Sequence, residues 1–237
     1  GEAAERLCDQ WGLVREELDA FAVESHRRAA AAALAGHFQK EIVSVPVAQV
    51  REKSAEGEAQ LFSADETIRP GTAAEKLATL KTSFRPDGRL TAGNSSQISD
   101  GAAALLLMSS ARAESLGLKP RARIRAMTTV GSDPTLMLTG PIAATRKVLA
   151  QAGLTLDDID LFEINEAFAP VPMVWMKELG VSAERLNVNG GAIALGHPLG
   201  APGTKLMATL VHALHARGKR YGLQTMCEGG GQANVTI

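Results

Sequence analysis

The sequence predicts an α/β protein in which helices cover a largely buried sheet. From Pro120 onward, short apolar segments alternate with segments that repeat apolar residues at helical spacing, as in folds built from strand–helix units. Gly153 directly follows one helical segment and is a typical helix stop. A third observation is the stretch NVNGGAIALGHPLGAPG at Asn187–Gly203, which holds five glycines and one ionisable side chain, His197. This pattern predicts a loop that presents a histidine beside the N-terminus of a helix.

The first part of the chain is predicted to be mostly helical. Glu2–Trp11 and Glu16–Phe38 repeat apolar residues at helical spacing, and Gly36 lies near the end of the second segment as a stop signal. Ile42–Val50 alternates enough to predict a strand. The charged segment Arg51–Glu58 predicts a solvated loop.

The middle of the chain combines loops with short elements. Ala73–Leu80 predicts a short helix in an otherwise irregular region. Thr91–Gly101 is rich in small polar residues, which favour turns and let a backbone lie against a ligand. Ala102–Met108 is a continuous apolar run and predicts a fully buried strand, which a helix over Ala111–Leu116 follows.

A second α/β block begins near Pro120. Its predicted strands are Ala122–Val130, Leu161–Ile164, Tyr221–Cys227 and Ala233–Ile237. Its predicted helices are Pro141–Ala152, Ala167–Leu179 and Ala201–Arg217. The alternation implies a layered fold with helices packed on the sheet.

Composition narrows the function classes. The chain has 237 residues, 45% hydrophobic and 22% charged, with a formal net charge of -1. These values are typical of a globular domain and argue against a nucleic-acid interface. No apolar run is long enough to span a bilayer. The two cysteines make no disulfide framework, so we expect a reducing, cytoplasmic location. Because the sequence starts at Gly1 within a helical pattern, we expect it to belong to a longer protein.

Three loops are predicted at the carboxyl edge of the sheet, where ligands of α/β folds gather. They are Asn165–Phe168, Gly196–Pro198 and Cys227–Gly231. A cysteine near a histidine suits thiol chemistry, because the imidazole can take or return a proton. The glycines after Cys227 could direct N–H groups at an oxyanion, and Asn165 can orient a water or hold the histidine.

A metal site is the weaker interpretation. His212 and His215 lie on the face of their helix opposite its leucines, and no spaced cysteine pair accompanies them. We therefore predict no metal. Cys8 lies in a charged helix with nothing nearby to lower its pKa, which predicts a structural thiol.

The motifs resemble the C-terminal signatures of the thiolase family, the acyl-CoA:acetyl-CoA C-acyltransferases. The resemblance rests on NEAFA at Asn165–Ala169, on the Asn187–Gly203 stretch and on CEGGGQ at Cys227–Gln232. GNSSQISDGAAALLLMS at Gly93–Ser109 and ATRKVL at Ala144–Leu149 are similar to further family segments in the same order. The resemblance implies a layered α/β/α fold with a mixed five-stranded sheet. It divides the chain into a loop (cap) segment at 1–97, the last strand and helix of the N-terminal domain at 98–119, and a C-terminal domain at 120–237.

The resemblance also implies residue roles. His197 would lie in the first oxyanion hole and activate the nucleophile that accepts the acyl group, and Asn165 would hold a water there. Cys227 would be the acid/base that exchanges a proton with acetyl-CoA, and the N–H of Gly229 would contribute to the second oxyanion hole. The residues that fall where the family contacts coenzyme A or the acyl chain are Arg69, Phe84, Ala92, Ser96, Ile98, Ala167 and Phe168.

This sequence departs from the family pattern in one large respect. Thiolases form their acyl-enzyme on an upstream cysteine in a C-x-S-G-like motif, whereas Cys8 is followed by Asp-Gln-Trp. We therefore expect these 237 residues alone to be inactive. Smaller departures are Glu228, where an apolar residue is common, Pro202, where a small polar residue is usual, and Gln97, which is commonly glycine. A carboxylate beside Cys227 tends to raise the pKa of the thiol.

The function implied is that of part of a degradative 3-ketoacyl-CoA thiolase, which splits 3-ketoacyl-CoA with CoA into acetyl-CoA and a shortened acyl-CoA. Its partners would be acyl-CoA and CoA, with coenzyme A as substrate, no other cofactor, and a homodimer or tetramer in the full enzyme. Two alternatives remain open. A related condensing enzyme would lack a cysteine at position 227, and a non-catalytic CoA- or sterol-carrier module would lack the upstream nucleophile.

Overall fold

The computed structural model describes residues 1–46 and 61–237. Its strands are β1 (Val45–Pro46), β2 (Leu61–Phe62), β3 (Met127–Gly131), β4 (Leu161–Ile164), β5 (Gly222–Glu228) and β6 (Gln232–Thr236). Its helices are α1 (Glu2–Trp11), α2 (Arg15–Leu34), α3 (Ala74–Ala78), α4 (Ser110–Ser115), α5 (Gly140–Ala152), α6 (Pro170–Leu179), α7 (Ala192–Leu195) and α8 (Pro202–Ala216). A short 3-10 helix covers Ala183–Arg185.

A mixed sheet lies at the centre of the fold, in the order β3-β6-β5-β4. β4 and β5 are parallel, whereas β6 is antiparallel to both of its neighbours. α5 packs on one face with α6 beside it, and α8 packs on the other face against β4 and β5. The predicted layered α/β class is confirmed.

The core of the fold fills the space between the sheet and the α5–α6 layer. Phe162 of β4 lies edge-on to Trp175 of α6, with ring centroids 5.1 Å apart. The indole N–H of Trp175 donates to Thr145 Oγ1 of α5 at 3.0 Å, which satisfies its one polar group inside the core. α1 packs against the outer side of α6, and α2 packs against α3 and α7.

Helix ends follow the signals in the sequence. Gly153 and Gly180 end α5 and α6 with φ angles of 65° and 67°, a left-handed conformation that favours glycine. α2 begins where Glu17 accepts a hydrogen bond from the Val14 N–H at 3.0 Å. It ends at Leu34 rather than at the predicted Phe38, and the chain then turns through Gly36 at φ 73°.

The predicted strand over Ala102–Met108 is wrong. These residues form no strand, and the side chain of Leu106 is 81% exposed. An apolar run indicates that a segment tends to be buried, but a strand also needs a neighbour that completes its hydrogen bonds. Within the described ranges no strand pairs with this segment. The helix predicted after it is present as α4, with Ser109 Oγ accepting from the Arg112 N–H.

In the described ranges the central sheet has four strands, one fewer than predicted, and β1 and β2 form a separate two-stranded sheet. The chain that follows the 3-10 helix does approach β4, because the Asn187 N–H donates to the Phe162 carbonyl at 2.9 Å. The contact is a single bridge between Phe162 and Leu186. Asn187 adopts φ 43°, which turns the backbone away before a ladder can form.

Two predicted elements of the second α/β block begin at least three residues later than expected. The strand predicted over Ala122–Val130 begins only at Met127, which pairs with Thr236, the last residue of β6. The helix predicted over Ala167–Leu179 begins at Pro170, because Ala167 and Phe168 pair with another segment.

Part of the N-terminal prediction lies outside the described residues. Of the strand predicted over Ile42–Val50, Val45 and Pro46 pair with β2, and residues 47–50 fall outside the description. So does the loop predicted over Arg51–Glu58. Among the described helices, none combines the length and the apolarity needed to cross a membrane. The cytoplasmic location stays a prediction.

Candidate active site

Asn165 lies directly after β4, at the carboxyl end of the parallel strand pair. Its backbone N–H donates to the Thr225 carbonyl of β5 at 3.1 Å, which fixes the residue beside the end of the neighbouring strand. The side chain is 1% exposed. Neither its amide oxygen nor its amide nitrogen has a hydrogen-bond partner among the described residues. Because buried polar groups are normally paired, this amide is available for a ligand or a water.

His197 lies in the loop between α7 and α8. Its N–H donates to the Gln97 carbonyl at 2.8 Å and to Ser99 Oγ at 2.9 Å. Burial lowers the pKa of the imidazole below its ordinary value, so the neutral form is favoured at neutral pH. Its Nδ1 is buried and has no partner among the described residues. His197 is therefore a half-buried histidine with unused hydrogen-bonding capacity, and its catalytic role stays a prediction.

An extended segment at residues 94–99 ties these two loops together. The Ser96 N–H donates to the Ala167 carbonyl, and the Ala169 N–H donates to the Asn94 carbonyl. Two residues further along, Ile98 pairs with His197 in a parallel bridge. One short stretch of backbone thus fixes the position of the Asn165–Phe168 loop relative to the histidine loop.

Glu166 directly follows Asn165, and its buried carboxylate accepts hydrogen bonds from three different segments. Its carboxylate accepts from Ser25 Oγ at 2.7 Å, from Asn187 Nδ2 at 2.8 Å and from the Ile193 N–H at 3.2 Å. Burial raises its pKa, although these three donors oppose the shift. Since the donors come from α2, from the segment after the 3-10 helix and from α7, Glu166 holds three elements around the loop.

Cys227 lies near the end of β5, opposite Ala233 of β6. The register pairs Ile164 with Thr225, so Cys227 is close to the strand end that Asn165 follows. Burial raises the pKa of the thiol to about 12, with Glu228 contributing in the same direction. Gly229 is the first residue of the exposed turn that joins β5 to β6.

A small cavity of about 20 Å³ lies between β4, the α7 loop and α8. Its lining includes Glu163, Asn165, Gly191, Gly196, Lys205 and Thr209. Gly196 directly precedes His197. Neither the imidazole of His197 nor the thiol of Cys227 is among the described side chains that line this cavity. That Asn165, His197 and Cys227 converge within one pocket remains a prediction.

Six of the seven residues predicted to contact CoA fall into two groups, and the seventh, Arg69, lies beneath the histidine loop. Phe84 lies edge-on to Phe168 with ring centroids 5.8 Å apart, and Ser96 bonds to Ala167, so these four form one contiguous surface. Ala92 and Ile98 are exposed, with 87% of Ile98 accessible. Contact of any of them with CoA remains a prediction.

Arg69 and Gln97 form a support beneath the histidine loop. Arg69 donates to Gln97 Oε1 at 2.9 Å. Gln97 Nε2 in turn donates to the carbonyls of Thr67 and Ile193 at 3.1 and 3.0 Å. The glutamine that departs from the family pattern is therefore used to brace α7.

Several residues of the site were missed from the sequence. Glu163, Glu166, Ser25 and Asn187 all contribute buried polar groups around Asn165. The sequence did offer a signal for the two glutamates: both carboxylates lie within two residues of Asn165, in or next to a strand that was predicted to be buried.

Cys8 is buried, and its pKa is raised to about 12 mainly by burial, in keeping with a structural thiol. In the described ranges no group of histidine, cysteine and carboxylate side chains could hold a metal ion.

Comparison with known families decides the identity of the chain. The model of the thiolase N-terminal domain matches residues 1–111, and the model of the thiolase C-terminal domain matches residues 118–237. The chain belongs to the thiolase family.

Relatives agree with that assignment. A steroid 3-ketoacyl-CoA thiolase of Mycobacterium tuberculosis is 51% identical over 99% of this chain and 54% of its own length. A 3-ketoacyl-CoA thiolase of Cronobacter sakazakii is 49% identical over 100% of this chain and 61% of its own length.

Solved structures share the fold. Acetyl-CoA acetyltransferase of Bacillus anthracis superposes with a TM-score of 0.93 at 42% identity, over 99% of this chain and 58% of that one. Human mitochondrial 3-ketoacyl-CoA thiolase in complex with CoA gives 0.89 at 37% identity, over 99% and 57%. The chain thus spans between half and two thirds of the length of these relatives.

Proposed function

We propose that this chain supplies the proton-transfer residues of a thiolase that cleaves 3-ketoacyl-CoA with CoA into acetyl-CoA and a shortened acyl-CoA. The observation that carries the proposal is the pair of buried, unpaired polar groups on Asn165 and His197. Such groups are costly unless a ligand or water satisfies them. The names of the 3-ketoacyl-CoA thiolases that the chain resembles support the choice of substrate class.

In the first half-reaction a nucleophilic cysteine of the family's N-terminal core bonds to the C3 carbonyl carbon of the substrate. His197 accepts the proton of that thiol, and its lowered pKa keeps the imidazole neutral and ready to do so. The C2–C3 bond then breaks, and its electron pair goes to the enolate of acetyl-CoA. Cys227 gives its proton to C2, and the raised pKa of the thiol keeps that proton in place until it is needed.

In the second half-reaction the thiol of CoA gives its proton to the Cys227 thiolate, and its sulfur attacks the acyl thioester. The nucleophilic cysteine leaves and recovers the proton held by His197. The imidazole of His197 and a water held by Asn165 would stabilise one oxyanion, and the N–H of Gly229 would help to stabilise the other. The chain therefore provides both proton carriers, whereas the acyl carrier comes from another segment.

The test replaces each proton carrier in the enzyme that contains this chain. His197→Ala and Cys227→Ala should each lower kcat for acetoacetyl-CoA thiolysis by at least a hundredfold, since general acid–base groups typically contribute about 10²–10⁴. The Kd for CoA, measured by calorimetry, should change less than about threefold, because neither residue is assigned to the nucleotide. Near-normal kcat in either variant would remove that residue from the mechanism. CoA binding by a wild-type enzyme without thiolysis would favour the carrier module.

A further inference from the structure

The buried polar atoms that lack a partner are concentrated in one region. In the described part of the chain they belong to Glu41, Glu163, Asn165, His197, His212 and Gln224. Glu163 and Gln224 are opposite each other in β4 and β5. Glu41 and His212 are within 3.4 Å of each other, and Glu41 also accepts from Thr209 of α8 at 3.2 Å. A polar layer therefore lies between this part of the sheet and α8, where an apolar core is the norm.

Within this polar layer, Glu163 is the carboxylic acid that lies next to Asn165 of the candidate active site. It is 1% exposed, its Oε2 has no partner among the described residues, and it lines the same small cavity as Asn165. The two residues are separated only by Ile164, so their side chains leave the same face of β4. Leu161 on that face packs against Leu210 and Ala213 of α8.

The cavity is large enough for one water. It measures about 20 Å³, and a water needs at least about 10–15 Å³ with two or more polar partners. The Glu163 carboxyl and the Asn165 amide supply those partners. Both are buried and would otherwise bear the cost of lost hydrogen bonds to solvent.

We infer that Glu163 is a positioning residue for Asn165 and acts through a single water held in this cavity. The inference rests on the proposed function, in which Asn165 orients the water of the first oxyanion hole. The Glu163 carboxylic acid donates to the cavity water, and that water donates to the amide oxygen of Asn165. The amide NH₂ group then stays free to donate towards the substrate side.

The surrounding charges favour the protonated acid that this arrangement requires. Burial raises the pKa of Glu163 well above its ordinary value, and the carboxylates of Glu166 and Glu41 act in the same direction. Arg217 opposes them from the end of α8. A protonated carboxyl group has the same shape as an amide, so glutamine should reproduce its donor, whereas leucine should not.

The experiment compares Glu163→Leu with Glu163→Gln in the enzyme that contains this chain. A crystal structure at about 1.5 Å should contain the cavity water in the wild type and in Glu163→Gln. In Glu163→Leu the water should be absent and the Asn165 amide turned. The value of kcat should fall roughly five- to tenfold in Glu163→Leu, as expected for one buried hydrogen bond, and stay within about twofold in Glu163→Gln, while KM changes little in both.

Gln224→Leu is the matched control. Gln224 is also a buried polar residue and lies opposite Glu163, but it is not part of the cavity lining. This variant should lose stability comparably and yet keep the cavity water and kcat. A wild-type cavity without water, a kcat for Glu163→Leu equal to wild type, or an equal loss in Gln224→Leu would each overturn the inference. Since the crystallographic result does not depend on turnover, a wild-type enzyme with no thiolase activity would overturn the proposed function while leaving the water site to be judged separately.

Discussion

The side-chain amide of Asn187 forms hydrogen bonds with both the backbone N–H and the backbone carbonyl of Ile164. Its Oδ1 accepts from the Ile164 N–H at 2.9 Å, and its Nδ2 donates to the Ile164 carbonyl at 2.9 Å. These are the two bonds that a neighbouring strand would make with the edge of β4. The side chain thus replaces a fifth strand at this edge, and the same Nδ2 also donates to Glu166.

Asn187→Ala should therefore destabilise the protein by about 2–4 kcal/mol, because it leaves two backbone groups of Ile164 and part of the Glu166 carboxylate without partners. It also places alanine at φ 43°, where asparagine is tolerated better. The free energy of unfolding in urea measures the effect. Asn234→Ala is the control, since its amide bonds only to the exposed Glu228, and it should cost less than about 1 kcal/mol. Equal losses in both variants would contradict the special role of Asn187.

Glu41 is expected to make stability depend on pH. Burial raises its pKa from 4.5 to about 7, with Asp65 adding to the shift, whereas Thr209 and Lys205 oppose it. The folded state then binds this proton more tightly than the unfolded state does. Its contribution to stability is complete below pH 4.5 and is lost as the pH rises to about 7.

Glu41→Gln should remove that part of the pH dependence, because an amide does not titrate. The measurement is the midpoint of urea unfolding at several values between pH 4.5 and 7.5. Glu75→Gln, which changes an exposed carboxylate, serves as the control and should leave the slope unchanged. A slope in Glu41→Gln that equals the wild-type slope would show that the carboxyl group of Glu41 is not buried as described.

Local signals in the sequence were enough to predict most of the helices. Gly153 and Gly180 each follow an amphipathic segment, and both end their helices in the left-handed conformation. This success has a physical reason. Helix hydrogen bonds join residues four apart, so the information lies within the segment itself.

The elements that were missed depend on partners far away in the chain. The apolar run Ala102–Met108 carries no information about which strand would pair with it, and it is exposed in the described structure. The replacement of a strand by Asn187 depends on one positive φ angle and on the position of β4. Neither feature can be read from a window of sequence.

In the candidate site, too, local motifs could be predicted from the sequence, whereas contacts between distant segments could not. Asn165, His197 and Cys227 were singled out because their motifs are local. The environment of Glu163 became visible only when α8 was placed against β4, since Thr209 and Lys205 of α8 help to line the cavity. The predicted oligomer, the choice of CoA as substrate without other cofactors, and the division at residues 97 and 119 stay predictions.

The two thiols of this chain should react slowly with alkylating agents. Burial raises the pKa of both Cys8 and Cys227 to about 12. An ordinary cysteine has a pKa near 8.5, so at pH 8 each thiol should carry roughly a thousandfold less thiolate than a free one. Alkylation by iodoacetamide, followed by intact mass, should be slow in buffer and fast for both thiols in urea. Because Cys227 is only partly buried by surface exposure, rapid modification of this thiol in buffer would contradict its raised pKa.

The same chemistry implies that the 237-residue polypeptide alone does not perform thiolysis. Acyl transfer through a covalent intermediate needs an activated nucleophile, and neither thiol is activated. Cys8 is a buried thiol of α1 to which we assign no role in the candidate site. Cys227 cannot hold an acyl group while it exchanges a proton with the substrate. Acetoacetyl-CoA thiolysis by the polypeptide, verified by mass and followed through the thioester absorbance, should stay at the background rate. A rate like that of a full-length thiolase, abolished by Cys227→Ser but not by Cys8→Ser, would make Cys227 the nucleophile and would reverse the role that we assign to it.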